Sequence, residues 1–223
     1  MAWGGLFLSW SRPSREQQKA CISSAGAFNY PSDFYCATSN PKLETEKQKA
    51  LTSNGFNINS ARILLGSGPD TFRLAKSALL SWRHFALGWA MVDPETPVKK
   101  ETRFCVCVKE LVPWLMMPLQ IAYVTSTVKR PAKGSFSFGS GTLQGHLLAG
   151  EERFSVEWDE NDKVWYEILS FSKPAHILSV IGYPYVLLRQ KFFARQSTQA
   201  VLKYVNSQKL ESGRSWAGPS LNS

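Results

Sequence analysis

Residues 141–176 read GTLQGHLLAGEERFSVEWDENDKVWYEILSFSKPAH, and the fold turns on this stretch. Phe154, Val156 and Trp158 alternate with Arg153, Ser155 and Glu157. After a polar break, Trp165, Leu169 and Phe171 share one parity, and Val164, Tyr166 and Ile168 share the other. Side chains of a strand point alternately to its two faces, so this period of two marks strands with buried faces. Asp159-Glu160-Asn161-Asp162 has hairpin length, and Asn and Asp tolerate tight-turn geometry. The stretch is therefore a long antiparallel hairpin.

C-terminal to it, residues 177–181 are an apolar entry, and Pro184 suits the first turn of a long helix. Tyr185, Leu188 and Phe192, then Phe193, Ala200 and Tyr204, recur at helical spacing. Arg189, Lys191, Arg195 and Lys203 give the helix a basic outer face, and the pattern predicts an end near Val205. Residues 207–223 are rich in Ser and Gly and are expected to be disordered.

N-terminal to the hairpin, strand patterns cover residues 136–141, 119–128 and 104–112. Residues 129–134 read as a basic turn, and PWLMMP at 113–118 as an exposed apolar bulge. Phe72, Ala75, Ala78, Leu79 and Trp82 form one stripe, which predicts a helix over 71–85 entered through Ser67, Pro69 and Asp70. Short strands are expected at 56–66 and 87–92, and a mobile loop or linker at 31–54. Strands clustered between segregated helices give an α+β class: an antiparallel curved sheet gripping a long C-terminal helix, with room for a cavity between them. The expected organisation is an N-terminal, partly flexible segment over 1–55, one domain over 56–206, and a tail over 207–223.

The chain has 223 residues, 43% of them hydrophobic, and a net charge of +9. Such a surface favours anionic partners, including anionic lipid at a membrane surface. Trp3, Phe7 and Trp10, followed by Arg12 and Arg15, are candidate membrane-surface residues; the alternative is a terminal segment packed on the domain. No run approaches the roughly 20 apolar residues of a spanning helix, so a membrane role is peripheral or uses strands. Cys21, Cys36, Cys105 and Cys107 read as free thiols, and two thiols on one strand face do not make a zinc site.

Nucleic-acid binding is disfavoured, because the aromatics follow core periodicities and no sheet motif of the K/R-G-F/Y type occurs. His146 with Glu151 and Glu152 is the one constellation able to bind a metal or move a proton, but its spacing is not that of a metal site. A strand also sends adjacent carboxylates to opposite faces. These three, with Trp158, Trp165 and Tyr166, are candidate ligand-binding residues; no catalytic residue, metal or cofactor is assigned.

GSGPDTFRLAKSALLSWRHFALGW, GTLQGHLLAGEERFSVEW, VWYEILSFSKPAH and GYPYVLLRQKFFARQS resemble the plant and bacterial family called domain of unknown function "nineteen-ninety", and FLSWSRPSREQQ is similar to its plant members. The resemblance implies a chloroplast outer-envelope protein that forms or supports a cation-selective channel, as a homo-oligomer if it conducts. The element order is also similar to helix-grip domains of the START and polyketide-cyclase type, which implies a soluble or peripheral, cytoplasmic module for a lipid or other apolar ligand. The physics favours the second: about eight strands already give a filled barrel interior. A net charge of +9 opposes cations unless acidic groups line their path.

Overall fold

The hairpin is β8 (Leu148–Trp158) and β9 (Lys163–Pro174), with Trp158 opposite Val164 at its tip. In the turn, Asp162 takes a left-handed φ of 61°. Asp159 accepts from the amides of Asn161 and Lys163, and the Trp165 indole donates to it as well. The Trp158 indole donates to Asp162 at 2.8 Å. The computed structural model describes residues 2–3, 6–40, 45–110, 113–129 and 133–216. Before the hairpin come β1 (Ala2–Trp3), β2 (Leu6–Ser9), α1 (Arg15–Ser24), α2 (Thr45–Ser53), β3 (Asn57–Ser67), α3 (Gly68–Leu80), β4 (Ala90–Met91), β5 (Arg103–Lys109), β6 (Trp114–Lys129) and β7 (Lys133–Thr142). After it come α4 (Ile177–Ile181) and the long α5 (Tyr183–Trp216).

The strands form one antiparallel sheet in the order β1-β2-β6-β7-β8-β9-β3, with β5 pairing β6 and carrying β4. Register shifts at Leu64/Gly66 and Ile121/Tyr123 add local twist to a sheet that curls into a half-barrel. The protein is therefore α+β, with a long C-terminal helix against a curled antiparallel sheet. On the inner face, Phe136, Phe138, Phe154, Val156, Tyr166 and Ile168 pack with Ala75, Ala78 and Leu79 of α3 and Ala194, Val201 and Val205 of α5. On the outer face, Leu169 and Phe171 pack with Tyr30, Phe34, Leu51 and Phe56. Both apolar faces of the hairpin are covered by the chain itself.

Several expectations need correction. The expected mobile loop at 31–54 instead forms 3-10 turns at Ser32–Phe34 and Ala37–Ser39 and then α2, apart from 41–44, which lie outside the described residues. Its polar composition hides widely spaced anchors, Phe34, Ala37 and Leu51, all buried. The apolar run at 113–118 is no bulge but belongs to β6, apart from Pro113. Pro118 is tolerated because it falls where β6 passes from β2, paired as far as Met116, to β7, paired from Leu119. A missing N–H costs little in that gap, and the Pro118 carbonyl still accepts from Leu143. The expected strand at 87–92 shrinks to Ala90–Met91, and α3 ends at Leu80 before Trp82 takes a left-handed φ of 56°. The C-terminal helix runs past Val205 to Trp216, and residues 217–223 lie outside the described residues. Half of the basic turn, residues 130–132, lies outside them too.

The N-terminal segment packs on the domain. β2 pairs β6, and α1 starts with a capping box between Ser14 and Gln17. Arg15 pairs with Asp93 and Glu95, Arg12 contacts the Met91 sulfur, and Phe7 packs beside Met116. Trp10 is 73% exposed. Trp3 lies in β1, with its side chain outside the described residues.

Glu151 fixes the outer cover to the sheet. Its buried carboxylate accepts from the Tyr30 hydroxyl (3.0 Å), the Cys36 amide (2.8 Å), and the Thr38 amide (2.9 Å) and hydroxyl. Beside it, the buried Arg153 donates to the Thr38 carbonyl and pairs with Glu167 at 3.0 Å. Removing one partner of a buried charged network strands the others, at about 3 kcal/mol or more. Glu151→Ala is accordingly expected to lose at least about 3 kcal/mol in urea denaturation, while Glu157→Ala, on the exposed Arg62 pair, loses less than about 1 kcal/mol.

Candidate functional site

A cavity of about 350 Å³ lies between the inner face of the sheet and the first turns of α5. Phe85, Val106, Met117, Leu119, Val186 and Phe193 give it mainly apolar walls. At its rim, Glu110 binds the Tyr185 hydroxyl and the Arg189 guanidinium, and Arg189 lies over the Trp89 ring at 3.9 Å.

The same strand parity that builds the core places polar groups on the cavity floor. In register, Ser140 of β7 lies opposite Glu152 of β8, and Glu152 lies opposite Ser170 of β9. Residues directly opposite on antiparallel strands share a face, so the three make one polar row beside Phe138, Phe154 and Ile168. All three line the cavity, and none of their side chains has a hydrogen-bond partner among the described residues. Protein surrounds the Glu152 carboxyl, and the surface it retains opens into the cavity. Desolvation by burial pushes its pKa up to about 8, so it is largely protonated at neutral pH. One pleat along, Thr142, Gly150 and Ser172 form the next row, where the Thr142 hydroxyl accepts from the Gly150 amide at 2.9 Å. A side chain at Gly150 would lie 2.0 Å from the Phe171 carbonyl, so glycine is required there. From α5, the Gln190 amide nitrogen donates to Ser172 at 2.8 Å, and its buried Oε1 has no partner.

His146 also lines the cavity. Its Nδ1 accepts from the Leu148 amide at 2.9 Å, and burial lowers its pKa to about 4. The ring is neutral at physiological pH, and its Nδ1 lies 3.0 Å from the Leu148 carbonyl as well.

The structure thus brings His146 and Glu152 to one cavity; Glu151 touches the lining too, but its carboxylate is bound by Tyr30, Cys36 and Thr38 on the opposite face. Tyr166 is buried under α5, with its hydroxyl 2.9 Å from Ser197, and lies outside the cavity lining. Trp158 and Trp165 sit at the hairpin tip, bound to the turn, also outside the lining. Sequence reasoning missed Ser140, Ser170 and Gln190. The readable signal was a serine at a core parity position, twice, directly after Phe138 and Ile168 in the inward series. The free thiols of Cys21, Cys105 and Cys107 cluster elsewhere, beside Met116, with Cys105 3.9 Å from each of the other two sulfurs. Hydrogen bonding to Cys107 and Cys21, together with burial, pushes the Cys105 thiol pKa up, which makes it a poor nucleophile.

The model of the family described as domain of unknown function (DUF1990) matches residues 39–200. The chain belongs to this family. It is 54% identical to a UPF0548 protein of Arabidopsis thaliana over 203 residues, 91% of this chain and 99% of that one. A UPF0548 protein of Dictyostelium discoideum is 32% identical over 69% of this chain and 75% of its own. Among solved structures, hypothetical protein jhp0584 of Helicobacter pylori overlaps 81% of this chain and 96% of its own, at 13% identity and a TM-score of 0.46.

Glu152 makes the fold sensitive to alkali. Its folded pKa of about 8 lies above the ordinary glutamate value of 4.5, so the folded state holds the proton more tightly than the unfolded one. The cost of the charge is absent below about pH 4.5, grows as pH rises, and is complete above about pH 8. Glu152→Gln is therefore expected to match the wild type in denaturant titrations near pH 4 and to exceed it by at least about 1 kcal/mol near pH 9.

Proposed function

We propose that this member of the DUF1990 family is a binding module for an apolar small molecule, held between α5 and the inner face of the sheet. The cavity carries this reading: it is apolar over most of its wall, yet keeps a row of polar groups that the protein does not satisfy. Buried polar groups ordinarily find partners, because leaving one unmade costs about 1–3 kcal/mol. A bound molecule that supplies them explains their retention, and the mostly apolar wall with a few polar groups is the usual composition of a small-molecule site.

The second reading is cation conduction at the chloroplast outer envelope. It asks the apolar strand faces to meet lipid. In this structure the inner face of the hairpin meets α3 and α5, and the outer face meets Tyr30, Phe34, Leu51 and Phe56. That arrangement supports the binding module.

The test uses the full chain with the uncharged dye Nile red, and native mass spectrometry after mild extraction. Wild-type protein is expected to bind the dye and to carry a co-purified apolar molecule. Val186→Trp, which fills the cavity from α5, is expected to weaken dye binding by at least about tenfold, or about 1.4 kcal/mol. Unchanged dye binding by this folded variant, or cation-selective steps in planar bilayers from dye-free protein, overturns the reading.

A further inference from the structure

The cavity also specifies which end of its ligand goes in, and with what chemistry. We infer that the ligand is an apolar chain or ring system bearing an uncharged hydroxyl, and that this hydroxyl docks on the Ser140–Glu152–Ser170 row. The inference rests on the binding reading above and adds the head group.

An anionic head has no cation to meet on the row. The cation lining the cavity, Arg189, stands at the rim, where Glu110 and the Lys109 carbonyl engage it and the Trp89 ring covers one side. The buried Arg153 is on the other face of the sheet, bound to Thr38 and Glu167. A carboxylate or phosphate beside Glu152 would meet two serine hydroxyls and an acid but no compensating cation, and two acids sharing an apolar site disfavour both charges.

A cationic head meets a different cost. Glu152 is uncharged in the empty cavity near neutral pH, so an ammonium would have to drive its ionisation and lose its own hydration in an apolar enclosure. A buried ion pair recovers that desolvation only with excellent geometry and further hydrogen bonds.

A hydroxyl needs neither charge. Its proton can go to Glu152 or to a serine oxygen. Its oxygen can accept from the protonated Glu152 or from either serine. Gln190 is held by Ser172, two residues beyond Ser170 on the same face of β9, so the helix closes the polar end of the cavity from above. The remaining walls are apolar and suit the body of such a molecule.

The experiment measures displacement of Nile red from the full chain at neutral pH by decanol, decanoate and decylamine, which share a chain and differ in the head. Decanol is expected to bind at least about tenfold more tightly than decanoate or decylamine, equivalent to about 1.4 kcal/mol. Glu152→Leu and the double variant Ser140→Ala/Ser170→Ala are each expected to erase most of that preference, with the dye affinity of each variant used to normalise the ratio. Circular dichroism melts establish that each variant is folded; the alanine pair, which removes only two hydroxyls, serves where the leucine variant is not. Decanoate or decylamine binding as well as decanol overturns the head-group inference, as does a preference that survives both sets of substitutions. Failure of Nile red to bind wild-type protein at all sinks the binding reading itself.

Discussion

The carboxylate of Glu151 is the point on which the rest of the architecture depends. By gathering the amides of Cys36 and Thr38 and the hydroxyls of Tyr30 and Thr38, it turns a polar-looking N-terminal segment into the outer wall of the sheet. The cluster of Tyr30, Phe34, Leu51, Phe56 and Phe171 then closes over that face. With the outer face settled in this way, the inner face is free to carry groups that do nothing for stability.

Glu152, one residue on, shows the other half of that division. Strand alternation points it inward, where it finds no protein donor and its pKa rises to about 8. Two neighbouring acids of one strand thus have opposite circumstances. One is bound by four donors; the other is held in reserve, uncharged, on the floor of an apolar chamber. His84 is a milder case: it is wholly buried between Trp82, Phe85 and Phe154, and burial lowers its pKa to about 3, so it serves as a neutral aromatic piece of the core.

Much of this was legible in the sequence wherever periodicity is strong. The β8–β9 hairpin and the buried stripe of α3 follow from spacing, because each buries a regular face; the start of α5 was marked by Pro184, whereas its first stripe, Tyr185, Leu188 and Phe192, is exposed. The outer cover was not legible, since Tyr30, Phe34 and Leu51 are too far apart to make a pattern and act through tertiary contacts. The PWLMMP run misled because its prolines look like breakers; Pro118 survives only because two partner strands meet there. His146 and Glu152 stood out as unusual side chains, whereas Ser140 and Ser170 passed as ordinary strand serines. Their meaning appears only when register sets them side by side. Trp158 and Trp165 attracted notice as large aromatics, but the pattern gives parity and not distance along the strand, and both lie at the hairpin tip.

The length of α5 separates two ends of the molecule. The residues it contributes to the chamber fall between Tyr185 and Phe193, near its beginning. From Phe193 to Trp216 the rod continues for roughly 35 Å at the usual helical rise. Whatever is tethered at its distal tip is therefore carried well clear of the opening, so a fluorophore or a fusion partner placed there can report on the protein without obstructing cargo entry.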